Sequence, residues 1–340
     1  MKIVKVEDAV GSVLCHDITK IVPGRFKGVS FPKGHIVEKG DIPALLRLGK
    51  EHLYIWELKE GFLHENDAGL RLARLAQGRN VELTEPKEGK VSLVAACDGL
   101  LTVNEEFLTK VNMIEELIVA TRSNQRPVKK GDIVAGARVI PLAINEEKLK
   151  RAEEFVQKTN IISVLPFRSR KVGIITTGSE VYHGRINDKF GPVVKRKVEV
   201  FGCEVIEHII VPDVADEIAA AVKMLLEKGA ELILTTGGMS VDPDDVTPSG
   251  IKAAGANIVT YGAPVLPGAM LMVAYLGKVP VLGLPGCVMY NDITVFDLVL
   301  QLVMADQEIT RLMIVKLGMG GLCLKCEVCH YPSCSFGTGV

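Results

Sequence analysis

The hydrophobic pattern of the first half of the chain predicts short strands. Apolar runs such as Val91–Ala96 are separated by glycine, asparagine and charged residues, which is typical of strands joined by turns. Apolar residues have helical spacing over Asp41–Leu48 and His64–Gln77, and the charged stretch Asn145–Lys158 predicts a solvated helix that links two domains. We therefore expect a mixed, β-rich region over residues 1–165.

The second half has a different pattern, in which strand-length apolar runs alternate with amphipathic segments. The apolar runs predict strands over Lys171–Thr176, Glu204–Val211, Glu231–Thr236, Asn257–Tyr261, Met270–Tyr275 and Val279–Leu284. The amphipathic segments predict helices over Asp216–Lys228, Asp244–Ala254 and Asn291–Met304, and a further helix that ends near Phe201. This alternation predicts an α/β fold over residues 166–312, with an open, mostly parallel sheet and helices on both faces.

Composition and charge exclude several classes of protein. The 340 residues include 40 basic and 41 acidic ones, and a formal net charge of −1 excludes a polycation that holds nucleic acid by its field. The longest apolar run, Val295–Met304, is interrupted by Asp297 and Gln301 and is too short to span a bilayer. No signal peptide is recognisable, and four cysteines are scattered, as suits a reducing compartment. We therefore expect a cytoplasmic protein with neither a nucleic-acid nor a membrane partner.

Three loops with chemically useful residues follow predicted strands. They are Thr176–Glu180, Thr235–Pro248 and Leu284–Cys287. Any one of them could be an ordinary turn, but ligands of open α/β sheets bind at the carboxyl ends of the strands, and all three loops lie there. Glycines allow a ligand to approach the backbone, whereas the carboxylates of Asp242, Asp244 and Asp245 would repel a phosphate unless Mg²⁺ intervened. The loops therefore predict a phosphorylated ligand bound with Mg²⁺.

These loops carry a resemblance to a known family. Residues Arg170 to Met304 resemble the molybdopterin-binding domain shared by molybdopterin molybdenumtransferases, molybdopterin adenylyltransferases and the competence-damage-inducible proteins. The segments that match are Thr177–Val181, Ile209–Asp213, Thr236–Gly238 followed by Asp245–Pro248, and Leu284–Gly286. More weakly, Val6–Ile18 and Lys33–Gly49 are similar to the leading domains of the molybdenumtransferases.

The resemblance implies a ligand, a reaction and a set of residues. The ligand is molybdopterin, free or adenylylated, and the reaction is the insertion of molybdate with Mg²⁺. The resemblance gives catalytic or metal-organising roles to Glu180, Asp213 and Asp245. Ligand-binding roles fall to Thr177, Gly178, Ser179, Gly237, Gly238, Ser240, Asp242, Asp244, Thr247, Pro267, Gly268, Pro285 and Gly286. It also implies self-association into a homo-oligomer.

Two departures from the family leave other functions open. Ala269 stands where the molybdenumtransferases carry a lysine, and Cys287-Val288 replaces their asparagine–proline. The alternative is a non-catalytic carrier or maturation factor that delivers molybdopterin or the finished cofactor to a molybdoenzyme client. A third alternative is a nucleotide-processing hydrolase, as among the competence-damage-inducible proteins.

Residues 313–340 form a cysteine-rich tail that predicts a metal site. Cys323, Cys326, Cys329 and Cys334 fall within one short segment, and His330 could replace one sulfur. The spacing fits neither a Zn²⁺ site of two separated Cys-x-x-Cys pairs nor the usual [4Fe–4S] motif without change, so both centres stay open. Because the tail has little apolar content, we expect bound metal to order it.

Overall fold

The computed structural model describes residues 2–22, 24–55, 60–156, 160–240, 242–243 and 245–339. The chain forms two compact units. The first unit comprises residues 1–97, 102–122 and 129–164, and the second comprises residues 98–101, 123–128 and 165–340. No helix within the described residues is long and apolar enough to cross a membrane.

Short strands and four α-helices make up most of the described residues before residue 166. The strands are β1 Lys2–Lys5, β2 Ile18–Val22, β3 Phe26–Phe31, β4 His52–Ile55, β5 Phe62–His64, β6 Val81–Leu83, β7 Lys90–Ala95, β8 Gly99–Val103, β9 Leu117–Thr121, β10 Arg126–Val128, β11 Ile133–Val139, β12 Ala143–Asn145 and β13 Ile162–Pro166. The helices are α1 Ile42–Arg47, α2 Glu65–Ala76, α3 Glu105–Asn112 and α4 Glu146–Val156. The largest sheet of the first unit is antiparallel, in the order β6-β7-β11-β9, and α2 packs on β7 and β11. The predicted β-rich region is confirmed.

The second unit is built on a six-stranded sheet. Its strands are β14 Lys171–Thr177, β15 Glu204–Val211, β16 Leu232–Thr236, β17 Asn257–Tyr261, β18 Met272–Leu276 and β19 Val279–Leu284. Its helices are α5 Ser179–Tyr182, α6 Phe190–Glu199, α7 Ala215–Glu227, α8 Thr247–Ala253, α9 Val295–Met304 and α10 Arg311–Lys316. The order is β15-β14-β16-β19-β18-β17, with parallel pairs from β15 to β19 and antiparallel pairs from β19 to β17. A mostly parallel sheet is therefore confirmed.

Residues of each central strand alternate between two hydrophobic cores. On β16, Leu232 and Leu234 belong to one core, which includes residues of α6, α9 and α10, while Ile233 belongs to the other. The second core contains the apolar faces of α7 and α8. Because successive side chains of a strand point to opposite faces, this division confirms that helices cover both faces of the sheet.

Helix α9 begins later than the sequence pattern predicts, at Val295 instead of Asn291. Thr294 and Asp297 form a capping box, in which the Asp297 carboxylate accepts from the backbone N–H of Thr294 at 2.7 Å. The other oxygen of Asp297 accepts from Lys197 Nζ at 2.6 Å. Both side chains of this ion pair are largely buried, since 15% of Lys197 and 10% of Asp297 are exposed.

We expect the substitution Asp297→Ala to destabilise the second unit by about 3 kcal/mol, because it removes the helix cap and leaves the Lys197 charge buried without its partner. Asp297→Asn should cost less, since the amide oxygen can still accept the capping hydrogen bonds. Urea unfolding followed by circular dichroism measures the difference. The matched control is Glu199→Gln in the exposed pair with Lys195 on α6, which should change stability by less than about 0.5 kcal/mol. Equal losses for the alanine variant and the control would contradict the assignment.

Candidate functional site

A cleft of about 500 Å³ lies at the carboxyl end of the parallel strands. The loops that follow β16 and β19 and the segment that precedes β18 line it. The lining residues predicted from the sequence are Gly237, Gly238, Ser240, Asp245, Pro267, Gly268, Pro285 and Gly286. The structure therefore brings together two of the three predicted loops, which also contribute Met239, Leu284 and Cys287. Phe190, Leu266, Ala269 and Met270 complete the cleft wall.

The loop after β16 contributes backbone atoms to the cleft at two glycines, where no side chain would fit. Gly237 has φ +86°, and a Cβ there would overlap the carbonyl oxygen of Thr177. Gly238 has φ +53°, and a Cβ would lie 2.7 Å from the hydroxyl oxygen of Thr247. The two threonine hydroxyls are themselves buried and hydrogen-bonded at 3.0 Å. The loop therefore needs glycine at both positions, which leaves backbone atoms at the cleft surface.

The opposite wall of the cleft lies against the start of α9. The peptide Leu266–Pro267 is cis, and the carbonyl of Pro267 accepts from the backbone N–H of Val295 at 3.2 Å. Gly268 has φ +125°, and a Cβ there would overlap the side chain of Val295. The Pro267–Gly268 segment is thus held directly on a buried helix.

Acidic residues border the cleft. The Asp245 carboxylate accepts a hydrogen bond from the Asp242 backbone N–H at 2.9 Å. The Asp242 side chain itself is exposed. The hydroxyl of Tyr261 donates to the carbonyl of Met239 at 3.0 Å. Burial, and then the charge of Asp245, raise the pKa of Tyr261, so this hydroxyl stays protonated. The predicted residue Asp244 lies outside the described residues.

The remaining predicted loop, Thr176–Glu180, forms a neighbouring cluster that does not line the cleft. The carboxylate of Asp213 accepts from the backbone N–H of Ser179 at 2.7 Å, and the Asp213 backbone N–H donates to the Ser179 hydroxyl at 3.3 Å. Gly178 is buried with φ +149°, and Glu180 is exposed on the short helix α5. Thr177 connects this cluster to the cleft through its contact with Gly237. Glu180 and Asp213 therefore lie beside the cleft loops and do not line the cleft, whereas Asp245 does.

A polar network that the sequence did not reveal supports the cleft wall. The hydroxyl of Thr176 lies 3.0 Å from a carboxylate oxygen of Asp188 and 2.9 Å from Nε2 of His208. The other Asp188 oxygen accepts from the backbone N–H of Phe190, which lines the cleft, at 2.7 Å. The only sequence signal was an aspartate just before an apolar helical segment, which is typical of a helix start.

No lysine or arginine lines the cleft within the described part of the chain. Ala269, which stands where the resemblance expects a lysine, is one of the lining residues. Cys287 also lines the cleft, and burial raises the pKa of its thiol, which keeps it protonated. These features give the cleft backbone atoms, the hydroxyl of Ser240 and the carboxylate of Asp245.

The four tail cysteines are among the residues at a second, smaller cavity of about 230 Å³. Cys323, Cys326, Cys329 and Cys334 line it together with His330, and none of these cysteines is in a disulfide. The described residues hold no group of three or more His, Cys, Asp or Glu side chains arranged to hold a metal. The tail metal site stays a prediction.

The tail is attached to the second unit by more than its cysteines. Phe336 is buried in the core beneath α9, and the hydroxyl of Tyr331 donates to the side chain of Gln301 at 2.8 Å. The backbone N–H of Cys323 donates to the carbonyl of Leu266 at 2.8 Å. Tyr331 and Phe336 thus give the tail apolar contacts with the core that its overall composition conceals, and the ordering of the tail by bound metal stays a prediction.

Curated relatives match parts of this chain. A molybdopterin molybdenumtransferase of Haemophilus influenzae is 27% identical over 212 residues, which is 60% of this chain and 50% of that protein. A CinA-like protein of Mycobacterium tuberculosis is 35% identical over 79 residues, which is 23% of this chain and 18% of that protein. The chain thus spans half or less of the length of these relatives.

Solved structures with local similarity include two MoaB proteins. The molybdopterin biosynthesis enzyme MoaB of Thermus thermophilus has 20% identity and a TM-score of 0.32, covering 42% of this chain and 98% of that chain. The tungsten cofactor synthesizing protein MoaB of Pyrococcus furiosus has 24% identity and a TM-score of 0.30, covering 35% and 84%.

Two family models match separate parts of the chain. Residues 3–57 match a domain of unknown function (DUF8806). Residues 173–305 match the family described as "Probable molybdopterin binding domain". This second match contains every lining residue of the larger cleft and most of the six-stranded sheet. The α/β domain at residues 173–305 therefore belongs to the molybdopterin-binding domain family.

Proposed function

We propose that the larger cleft binds molybdopterin, either free or adenylylated, and that the protein inserts molybdate into this bound molybdopterin. The observation that carries this proposal is the convergence of the loops after β16 and β19 on one cleft with a backbone floor at Gly237 and Gly238. Such a floor suits the anionic phosphate end of the ligand, because backbone N–H groups can donate to it without adding a bulky side chain.

Oxygen donors at the cleft fit Mg²⁺. The carboxylates of Asp242 and Asp245 and the hydroxyl of Ser240 belong to one loop, and Mg²⁺ is usually held by one or two carboxylates with water and substrate phosphates completing its shell. Bound Mg²⁺ would neutralise the phosphate charge next to Asp245. The chain's own contribution is to position the ligand, with Thr177 and Thr247 fixing the glycine loop beneath it.

Glu180 and Asp213 have different roles in this proposal. Asp213 holds the backbone of Ser179 and so positions the loop after β14, whereas exposed Glu180 is available to the reacting part of a bound ligand. The alternative is a non-catalytic carrier that delivers the ligand to a molybdoenzyme client. The observation that favours the carrier is the cleft lining, which has Ala269 in place of a cation that could attract molybdate.

Three further features complete the proposal. The tail cysteines hold a resident Zn²⁺ ion or [4Fe–4S] cluster, separate from the cleft. The protein works in the cytoplasm, which its eight free thiols support. It self-associates, as the resemblance implies, which sedimentation velocity would test.

Incubation with adenylylated molybdopterin, Mg²⁺ and molybdate should yield molybdenum cofactor and released AMP. Both products are measurable by chromatography, and a reaction without molybdate is the control. Tight binding of the ligand without AMP release would establish the carrier instead. If the protein neither bound nor converted the ligand, both the enzyme and the carrier proposals would be refuted.

Asp245→Asn should lower turnover by about 100-fold or more, because the variant loses the carboxylate charge but keeps an oxygen to accept the loop hydrogen bond. Steady-state AMP release at several Mg²⁺ concentrations measures the effect. The matched control is Glu227→Gln, an exposed residue in the last turn of α7, which should leave turnover unchanged. Normal turnover by Asp245→Asn would remove this residue from the assignment.

Ala269→Lys should tighten the binding of the anionic ligand by about tenfold, because a cation at the cleft wall gains an attractive interaction of about 1.4 kcal/mol. Fluorescence titration with molybdopterin in the presence of Mg²⁺ measures the affinity. The control variant is Ala220→Lys on the exposed face of α7, which adds the same charge away from the cleft. Equal gains in the two variants would mean that the bound anion lies elsewhere.

A further inference from the structure

Arg126 is buried in the second unit without a carboxylate partner among the residues that the structure describes. Only 4% of the residue is exposed, and no ion pair involves it among the described residues. Its Nε and Nη1 atoms are buried and have no hydrogen-bond partner in that part of the chain. A buried charge of this kind is costly unless a charge of opposite sign lies nearby, so the site calls for an anion.

Two groups that contact the Arg126 guanidinium belong to the cysteine tail. Its Nη2 donates to the carbonyl of Cys334 at 2.8 Å, and its guanidinium lies 5.3 Å from the centre of the Tyr331 ring. Aromatic and carbonyl contacts stabilise a cation but carry no negative charge. The thiol side chain of Cys334 lines the smaller cavity, so Arg126 contacts the backbone of one wall of that cavity.

The cavity has two anchored cysteines and two exposed ones. Cys323 is fixed by its backbone hydrogen bond to Leu266, and Cys334 is fixed by Arg126. Both half-buried side chains pack against the core, while Cys326 and Cys329 are exposed on the segment between them. Four thiolates on a divalent ion or an iron–sulfur cluster would give such a centre a net negative charge.

We propose that Arg126 is the counter-cation of an anionic centre formed by four cysteine thiolates, with Cys334 as the fourth ligand in place of His330. This inference rests on the proposed metal centre of the tail. The buried guanidinium needs a negative charge nearby, and a centre of four thiolates needs a positive one. Each group would then supply the charge that the other needs. His330 is exposed, and its carbonyl accepts a local backbone hydrogen bond from Ser333 at 2.7 Å, whereas Cys334 is held by Arg126.

Full-length protein purified without oxygen should contain Zn²⁺ or iron with sulfide, and metal analysis with an absorption spectrum identifies which. Arg126→Met should weaken metal binding by about tenfold or more in competition with a chelator, because the thiolate charge loses its neighbour. Arg126→Lys should restore most of the affinity. If the centre is an iron–sulfur cluster, Arg126→Met should also lower its reduction potential, because a nearby cation favours the more negative reduced state. Arg196→Met, at an exposed position on α6, is the matched control.

Each outcome separates this inference from the centre on which it rests. No bound metal in the wild type would refute the tail centre itself, while leaving the molybdopterin proposal for the cleft untouched. Metal bound equally well by the wild type and Arg126→Met would refute only the role of Arg126. We expect Cys334→Ala to lose the metal and His330→Ala to keep it; the reverse result would overturn the choice of ligand. Circular dichroism of the variants shows whether each has folded. If Arg126→Met has not, Arg126→Gln carries the test, because its amide can still donate to the carbonyl of Cys334 but has no charge, and it should show the same loss of metal affinity.

Discussion

Gly237 lets the loop after β16 lie directly on the carbonyl of Thr177, and the cleft depends on this close approach. The two strands β14 and β16 are parallel neighbours, so their carboxyl ends reach the same edge of the sheet together. A side chain at Gly237 would force the loops apart and disturb the buried contact between Thr177 and Thr247. The shape of the cleft therefore depends on a position without a side chain, Gly237, at the edge where two parallel strands end.

The fold of the second unit was predictable because its central strands β14, β16 and β19 are buried, continuous apolar runs, and amphipathic helices alternate with the strands. Strands Glu204–Val211 and Asn257–Tyr261 have the bounds that the apolar pattern predicts. Helix ends were less predictable, since they depend on local capping: α9 begins at Val295 because Thr294 and Asp297 close its first turn, a signal visible in the sequence but masked by the apolar run that follows.

The convergence of two of the three loops was predictable, because each follows a strand of a mostly parallel sheet, whereas contacts between distant segments were not. Asp188 meets His208 through Thr176, and Arg126 meets Cys334, although neither pair is close in the sequence. No periodicity or spacing rule encodes such pairs, because they arise from packing in three dimensions. The same holds for Tyr331 and Phe336, whose apolar contacts attach the tail to α9 and α9's surrounding core.

The contact between Arg126 and Cys334 also has a consequence for the order of synthesis. The family match ends at residue 305, but the compact unit includes residues 123–128 and the tail as well. A ribosome releases Arg126 about 200 residues before its partner, at roughly 5–20 residues per second. For that interval of at least about ten seconds, an arginine destined for burial has no partner, and the second unit cannot be completed until residues 331–336 emerge.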